Sequence, residues 1–400
     1  GNTNIEGSIF IGKSANVAGL SVNSGTTNLK NSSFADYSIS VDSSGVLNAE
    51  NISVYGGTSD NSISIYNGGT SVYKDSDFRI DYGQFLNYGN LTLDNSNISG
   101  TAVKIQNAVA AATVNFKNSG SYTITPSTAS ATGAVLLGDG QYYTISVTEP
   151  GINNLKYDNG TVFYNSGILN LENSVFSNNS NSGSSSSRHG SVVRNTNQLN
   201  IVNSLFIDNK TDSQASVYNS SQGGVIYSES FDDVVNVTNS IFSGNKVVSA
   251  SYYAEGGAIA LGALNITNSS FSNNTATGNS GAGGALFLSA SKNTISNSMF
   301  NNNSAIGTNR GIGGAINAES GTTLTIINTT FASNAAKSTA LYEAYGGAIA
   351  TTGNSTTKVS IKDSIFESNF ASSDNDEASG GALYNEYGSY DIENTTFDGN

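Results

Sequence analysis

The chain has 400 residues, including 55 Asn, 64 Ser and 44 Gly, and only 12% of its residues are charged. It contains two Pro and no Cys or Trp, which excludes disulfides, thiolate zinc sites and Cys nucleophiles. Its net charge of −14 argues against binding to nucleic acid or to an anionic membrane surface. Disorder is not expected either, because 37% of the residues are hydrophobic and include 17 Phe and 20 Tyr.

The first 100 residues carry four related segments, spaced by 20, 24 and 20 residues. Each has Asn or Asp followed three positions later by an apolar residue, as at Asn31 and Phe34 or Asp75 and Phe78. This spacing predicts a tight coil for each segment with almost no insertion. Residues 101–160 are irregular and contain Pro126 and Pro150, so we expect larger excursions there.

Residues 161–400 repeat two units, which alternate strictly from Phe206 onward. One is Phe followed three positions later by Asn, which occurs eight times at spacings of 29–36 residues. The other is Gly-Gly-(Ala/Val)-(Ile/Leu), which begins at Gly223, Gly256, Gly283, Gly313, Gly346 and Gly380. The Phe and Asn positions are Phe176 and Asn179, Phe206 and Asn209, Phe242 and Asn245, Phe271 and Asn274, Phe300 and Asn303, Phe331 and Asn334, Phe366 and Asn369, and Phe397 and Asn400.

Each repeat contains three short β-type segments bounded by Gly, Asn and Ser. Such short strands gain partners when the chain coils, so that equivalent strands of successive repeats pair about 4.8 Å apart. The sequence therefore predicts an all-β chain that forms one single-stranded, right-handed parallel β-helix, a rod with three strands per rung and about 15 rungs. Residues 1–100 would be tightly coiled, 101–160 irregular, and 161–400 would carry one loop per rung.

The repeated residues have structural roles in this fold. We expect the Phe rings to stack along the inside of the rod. We expect each Asn to adopt the left-handed conformation at a turn and to hydrogen-bond from rung to rung. The Gly-Gly pair would form a sharp corner where a Cβ atom would clash.

The variable loops precede each Gly-Gly pair and should line one edge of the rod. They comprise residues 210–222, 246–255, 337–345 and 372–379. Four Tyr residues lie there, and Tyr offers contact area at low entropic cost. We predict that this edge binds a receptor or glycan, while packing of the tyrosines back onto the rod is the simpler alternative. The tyrosines are Tyr252, Tyr253, Tyr342 and Tyr345.

The alternation of Gly-Gly-Ala-Ile with Phe-x-x-Asn resembles the polymorphic outer membrane proteins of chlamydiae and the wider class of autotransporter passenger domains with these tetrapeptides. The resemblance covers residues 161–400. It implies an extracellular passenger on the bacterial cell surface, exported through its own C-terminal β-barrel, which would lie outside this chain and anchor the full-length protein in the outer membrane. Because chlamydial members usually contain Cys, a passenger from another Gram-negative bacterium fits better. No cap is visible after Asn400, so we expect a piece of a longer protein.

Parallel β-helices also carry polysaccharide lyases and glycosidases, whose sites need clustered carboxylates, often with Arg, Lys or calcium. We expect the four arginines, which are Arg79, Arg188, Arg194 and Arg310, to fall in different repeats. The densest acidic group is Asp374, Asp376 and Glu377. It could bind calcium weakly, but a solvated acidic loop is the simpler interpretation.

The only histidine, His189, follows a Ser run at residues 184–187, and we predict a flexible loop there. A Ser-His-Asp triad could in principle form around it. However, no Gly-x-Ser-x-Gly sequence positions a nucleophile. We therefore expect no catalytic site, no cofactor and no metal.

The resemblance implies a role in adhesion to host cells or in self-association, and together with the recurring loops it predicts an adhesin that attaches to a host-cell surface protein or glycan through the loops along one edge. One alternative is a self-association module, in which flat Asn-, Ser- and Thr-rich faces of two rods pair and aggregate the bacteria. A second alternative is an enzyme that acts on polysaccharides.

Overall fold

The computed structural model describes residues 1–12, 18–158, 160–184, 187–214, 219–289, 291–340 and 342–400. These residues form strands and turns, and no helix among them is long and apolar enough to cross a membrane. Part of the Ser run (185 and 186) and parts of two predicted loops (215–218 and 341) lie outside the described residues.

The predicted parallel β-helix is confirmed. Successive coils of the chain lie on one another, and each strand pairs in parallel with the equivalent strand of the next coil, as in the alignment of Phe176 with Phe206 and of Phe206 with Phe242. The strands form three faces, which we call the long sheet, the Phe sheet and the loop sheet. The long sheet has 25 strands: three single strands, then eleven pairs, which makes 14 coils in the described residues.

The long sheet carries the residues that follow each Gly-Gly pair. Its strands are Asn2–Glu6, Ala18–Lys30, Ser38–Glu50, Ile63–Asn67, Thr70–Lys74, Tyr82–Asn87, Asn90–Asp94, Ala102–Asn107, Thr113–Lys117, Phe163–Asn165, Ile168–Glu172, Val193–Asn195, Gln198–Val202, Ile226–Ser228, Val234–Thr238, Ile259–Ala260, Ala263–Thr267, Leu286–Leu288, Lys292–Ser296, Ile316–Ala318, Thr323–Ile327, Ile349–Thr351, Lys358–Lys362, Leu383–Asn385 and Ser389–Glu393.

The Phe sheet carries the repeated Phe residues and is divided into runs of five and nine strands. The first run is Ile9–Ile11, Ser33–Ala35, Ser53–Gly56, Asp77–Ile80 and Asn97–Ser99. The second is Ile152–Asn153, Val175–Ser177, Leu205–Ile207, Ile241–Ser243, Ser270–Ser272, Met299–Asn301, Thr330–Ala332, Ile365–Glu367 and Thr396–Asp398.

The loop sheet connects the Phe sheet to the next Gly-Gly corner. Its 13 strands are Lys156–Tyr157, Ser180–Gly183, Arg188–His189, Lys210–Ser213, Ser221–Gln222, Lys246–Ser249, Tyr253–Glu255, Thr275–Ala282, Ser304–Ile312, Ala335–Ser338, Ala344–Tyr345, Phe370–Ser373 and Ala378–Ser379. The three strands predicted for a rung are present as two long-sheet strands and one Phe-sheet strand, as in Leu286–Leu288, Lys292–Ser296 and Met299–Asn301, and the loop sheet adds one or two more strands in the later coils. These segments are rich in Gly, Thr and Ser and lack the β-branched apolar pattern, so they were expected to be loops.

The eight repeated Phe rings form the predicted stack inside the rod. From Phe176 to Phe397, neighbouring ring centroids are 4.6–5.0 Å apart and the ring planes differ by 3–13°. The seven rings from Phe176 to Phe366 are fully buried. The separation matches the distance between paired strands, so the backbone hydrogen bonds and the ring contacts have the same period.

The repeated Asn residues form a buried ladder next to the Phe stack. The Asn274 amide nitrogen donates to Asn303 Oδ1 at 3.0 Å and to the Phe242 carbonyl at 3.0 Å. Asn274 Oδ1 in turn accepts from the backbone N–H and the side-chain amide of Asn245, at 3.1 and 3.0 Å. The same bonds recur in every step from Asn179 to Asn400. The amide's polar groups are therefore satisfied by the adjacent coils.

The left-handed conformation was predicted for these Asn residues, but the residue that adopts it is the one before each of them. The residue immediately before each of them has positive φ, for example Asn178 (54°), Asp208 (54°) and Asn273 (58°). The bend is made there, where the side chain is free to face solvent, so that the following Asn can point inward. Sequence spacing alone does not separate these two adjacent positions.

A second corner lies three residues before each Phe, where Asn or Asp again has positive φ, as at Asn203 (50°) and Asn239 (49°). The Ser or Thr that follows accepts a hydrogen bond from the preceding coil: Ser204 N–H donates to Ser240 Oγ at 3.1 Å. The Ser240 hydroxyl then donates to the Thr238 carbonyl at 2.8 Å. This recurring Asn-Ser pair is therefore a structural corner.

The Gly-Gly pair makes the third corner, as predicted. The first Gly has positive φ, for example 61° at Gly283. A Cβ atom on the second, Gly284, would lie 2.1 Å from the carbonyl oxygen of Gly314 in the next coil. No side chain fits at that distance, so Gly is required at both positions.

The irregular region is more local than expected. Strands Ala102–Asn107 and Thr113–Lys117 continue the regular coil, and the excursion is a three-stranded antiparallel hairpin of Ser121–Pro126, Val135–Leu136 and Tyr142–Glu149. Its apolar side chains pack on Val175, Leu205 and Ile241, on the outside of the Phe sheet. Its backbone accepts hydrogen bonds from Ser270 Oγ at 2.7 Å and Asn273 Nδ2 at 3.0 Å.

We predict that Asn274→Ala lowers the free energy of unfolding by at least about 2 kcal/mol, because it leaves the buried N–H of Asn245 without its acceptor and removes the side-chain bonds to Asn303 and to the Phe242 carbonyl. Urea denaturation followed by circular dichroism measures the change. Asn265→Ala is the matched control: Asn265 belongs to the same coil and bonds Asn236 at 2.9 Å, but its side chain is exposed. Equal losses in the two variants would contradict this account of the buried ladder.

Candidate functional site

The predicted loops do recur on one side of the rod. Each enters between two strands of the loop sheet, as between Lys246–Ser249 and Tyr253–Glu255, or between Ala335–Ser338 and Ala344–Tyr345. In two intervening coils the corresponding segments, Thr275–Ala282 and Ser304–Ile312, are single strands without an insertion. Short coils thus lie between the longer loops and leave a depression between them.

Three of the four predicted tyrosines surround this depression. Tyr252, Tyr253 and Tyr342 line a cavity of about 310 Å³ together with Arg310. The rings of Tyr252 and Tyr253 meet edge to face, with centroids 4.1 Å apart. The guanidinium of Arg310 lies 5.7 Å from the centre of the Tyr342 ring. Tyr253 and Tyr342 remain 40% and 47% exposed, so both can contact a partner.

The fourth tyrosine, Tyr345, lines the adjoining space, which we call the corner groove. This groove follows the Gly-Gly corner between the loop sheet and the long sheet, has a volume of about 410 Å³ and is also lined by Tyr253 and Arg310. The Tyr345 ring stacks on Tyr384 with centroids 4.3 Å apart. The structure therefore brings all four tyrosines to one continuous surface, although Tyr345 packs partly against the rod.

Sequence reasoning missed the glutamates of the corner groove. Glu255, Glu319 and Glu386 line it. Glu319 and Glu386 occupy the same position in their repeats, six residues after the first Gly of a Gly-Gly pair. Glu229 occupies this position in an earlier repeat. Comparing the repeats position by position, beyond the repeated tetrapeptides, would have found this row.

Two of these carboxyl groups have raised pKa values. The pKa of Glu255 is raised to about 7: burial is the main cause, a hydrogen bond from Gln222 Nε2 at 2.5 Å opposes the rise, and the nearby charge of Glu319 adds to it. Burial also raises the pKa of Glu319. A half-buried acidic groove of this kind is costly for the rod, since each charge loses solvation that the protein only partly replaces.

The acidic loop at Asp374, Asp376 and Glu377 does not assemble a metal site. All three side chains are exposed, and the Glu377 N–H donates to Asp376 Oδ1 at 2.8 Å. Within the described ranges, no three or more His, Cys, Asp or Glu side chains are grouped closely enough to hold a metal ion.

The expectations for His189 and the arginines need correction. His189 lies in strand Arg188–His189, which pairs with Ser221–Gln222, and not in a flexible loop. Its ring stacks on Tyr227 with centroids 4.4 Å apart, and Nδ1 has no hydrogen-bond partner among the described residues. Within the described ranges, therefore, no acidic residue bonds Nδ1 to orient the imidazole, as a Ser-His-Asp triad requires.

The four arginines were expected to lie in four different repeats. This expectation is wrong for Arg188 and Arg194, which both lie in the repeat between Phe176 and Phe206. Arg188 is fully buried and pairs with Asp158 at 2.8 Å, while Arg194 pairs with Glu229. Only Arg310 lies beside the predicted tyrosines.

We predict that Glu255→Gln stabilises the protein at pH 8 but not at pH 4. The folded state holds the Glu255 proton more tightly than the unfolded state, whose pKa is near 4.5. Stability is therefore lost as the pH rises from about 4.5 through 7, and Gln removes that loss. We expect a gain of roughly 1–3 kcal/mol above pH 7, measured as a shift in thermal midpoint. The exposed Glu377→Gln is the control, and a gain independent of pH would contradict the assignment.

The comparisons with known proteins leave the chain without a demonstrated family. No protein-family model matches it, and searches of curated proteins and of solved structures found no match. Its function is therefore inferred from its own side chains.

Proposed function

We propose that the chain is a surface adhesin of a Gram-negative bacterium and a passenger segment of an autotransporter. It would attach to a host-cell surface protein or glycan through the loop side of the rod. The single observation that carries this proposal is the convergence of Tyr252, Tyr253, Tyr342 and Tyr345 around Arg310. Tyr and Arg are the residue types that most often dominate binding energy at interfaces.

The geometry of the loop side supports the proposal in two ways. The tyrosines come from two loops that lie three coils apart but are held by strands of one sheet, so their spacing is fixed before a partner arrives. Such preorganisation lowers the entropic cost of association. In addition, Arg310 is half-exposed and lies 3.8 Å from Glu343, so it can add a charged contact at the centre of the aromatic surface.

We predict that replacing Tyr252, Tyr253, Tyr342 and Tyr345 together by Ala lowers binding of the fluorescently labelled chain to host epithelial cells at least about tenfold. The effect would arise from lost aromatic contact area, with the strands of the loop sheet unchanged in the circular dichroism spectrum. The matched control replaces Tyr55, Tyr82 and Tyr88, which are 41–44% exposed on the first coils. Undiminished binding by the first variant, or an equal loss in the control, would refute the proposed surface.

A self-association module remains the second candidate because of one observation on the outer long sheet. Asn115, Asn170, Asn200, Asn236 and Asn265 form a continuous amide ladder at 2.7–2.9 Å on the outward side of its strands. A flat polar face with regularly spaced donors and acceptors can meet the same face of another rod through many weak hydrogen bonds.

Self-association through this face predicts a molar mass that rises with concentration in multi-angle light scattering. Asn200→Lys with Asn236→Lys would then restore the monomer, because like charges would oppose each other across the contact. A constant monomer mass at all concentrations would exclude this candidate and leave the adhesin proposal unaffected.

A further inference from the structure

A small pocket lies where the chain returns from the hairpin to the regular coil. It has a volume of about 190 Å³ and is lined by Lys104, Gly160, Thr161, Tyr164, Asn181, His189 and Arg194. We call it the cationic pocket. It shares no lining residue with the tyrosine depression or the corner groove, so it is a separate site.

The pocket collects positive charge on a strongly acidic chain. Lys104 makes no ion pair within the part of the chain that the structure describes. A Cβ atom on Gly160 would lie 3.1 Å from Lys104 Cε and 3.3 Å from its Nζ, so the missing side chain at Gly160 admits the ammonium group. Arg194 is the second cation, and Glu229 neutralises one side of it by bonding its Nε.

Two buried polar atoms at this pocket lack a partner. Thr161 is 4% exposed, and its hydroxyl has no hydrogen bond to any described residue. His189 Nδ1 is also buried without a partner in the described part of the chain. A buried polar group left without a hydrogen bond is unfavourable, so a bound molecule that supplies a partner at this pocket would be stabilised.

The pocket also presents two flat rings. The Tyr164 ring lies under the Arg194 guanidinium at 5.2 Å, and the His189 ring is fixed by its stacking on Tyr227. The volume is below the roughly 300–1,000 Å³ of sites for drug-sized ligands. One small polar group with a ring face fits these constraints.

We propose that the cationic pocket binds the carboxylate of one acidic sugar residue of a glycan. Lys104 and Arg194 would hold the carboxylate, Thr161 would bond a ring or carboxylate oxygen, and Tyr164 and His189 would contact the sugar face. Two positive groups and one negative group, Glu229, leave a single net positive charge, which suits a monoanion such as a carboxylate better than a phosphate dianion. A sialic acid and a uronic acid share this chemistry.

The only histidine of the chain provides the measurement. His189 gives a single set of imidazole C–H signals, one Cε1–H and one Cδ2–H, in the NMR spectrum of the ¹³C-labelled chain. Burial and the positive charges of Arg194 and Arg188 lower its pKa to about 4, while Glu229 opposes them. Lys104, Tyr164 and Tyr227 are the other titratable groups around it. An anion bound beside the ring should raise this pKa by about one unit.

The chain would be titrated with the methyl glycosides of N-acetylneuraminic acid and of glucuronic acid, and with methyl glucoside and sodium sulfate. We expect saturable shifts of the His189 signal with one or both acidic sugars, and none with methyl glucoside. The relative affinities of the two acids distinguish a sialic acid from a uronic acid. Equal binding of sulfate would show a general anion site and overturn the carbohydrate proposal, as would the absence of any shift.

Lys104→Gln should weaken binding of the acidic sugar at least about tenfold. Because Lys104 is exposed, this variant is expected to fold. Lys117→Gln is the matched control, since Lys117 follows in the same coil but pairs with Asp94 at 3.2 Å, outside the pocket. Thr161→Val tests the hydroxyl separately. None of these substitutions touches the four tyrosines, so failure here and failure of the proposed adhesive surface are distinguishable.

Discussion

The buried amide of Asn274 has no hydrogen-bond partner in its own coil, because its donors and acceptor are all satisfied by the coils before and after it. The same holds for the backbone of almost every strand, whose partners lie one coil away. A single coil would therefore expose unsatisfied polar groups and one Phe ring. Stability is shared between neighbours, as in other repeat proteins, and the rod must form over several coils at once.

This dependence explains which positions are constrained and which are available for binding. The three corners of each coil need positive φ or close backbone approach, which fixes Gly, Asn and Ser there. The outward positions carry no such requirement, and stacking of like charges one coil apart is unfavourable. Many outward residues are accordingly Asn, Ser or Thr. The carboxyl groups of Glu255 and Glu319 and the cations Lys104 and Arg194 depart from this rule, and a departure that costs stability is a reason to look for function.

Much of the fold could be predicted from the sequence, because the repeated Phe, Asn and Gly-Gly positions follow directly from inter-coil packing. The loop sheet was not predicted, because strands such as Thr275–Ala282 consist mainly of small and polar residues with little intrinsic β propensity. They pair because the adjacent coils place hydrogen-bonding partners beside them. The left-handed residue was misplaced by one position because Asn occurs on both sides of the bend, as at Asn178 and Asn179.

The candidate sites were less predictable than the fold. The tyrosines could be found because loop residues of one type recur at one corner. The corner-groove glutamates and the cationic pocket depend on which side chains meet across different coils. Lys104 and Thr161 are 57 residues apart in the sequence, and the hairpin that separates them hides their proximity.

The hairpin has a consequence for the order in which the rod can assemble. Outside the coil that the hairpin interrupts, paired residues of successive coils are 19–36 positions apart, whereas the hairpin contacts Ser270 and Asn273, 134 and 139 residues later in the chain. The apolar side of the hairpin therefore remains exposed until the coils that contact it have folded. If the chain emerged from a pore with its N-terminal end first, the apolar side of the hairpin would stay exposed to solvent while the later coils were still unfolded. If the C-terminal end emerged first, the coils that the hairpin packs against would already be folded. The hairpin would then pack onto completed coils as one of the last steps of assembly.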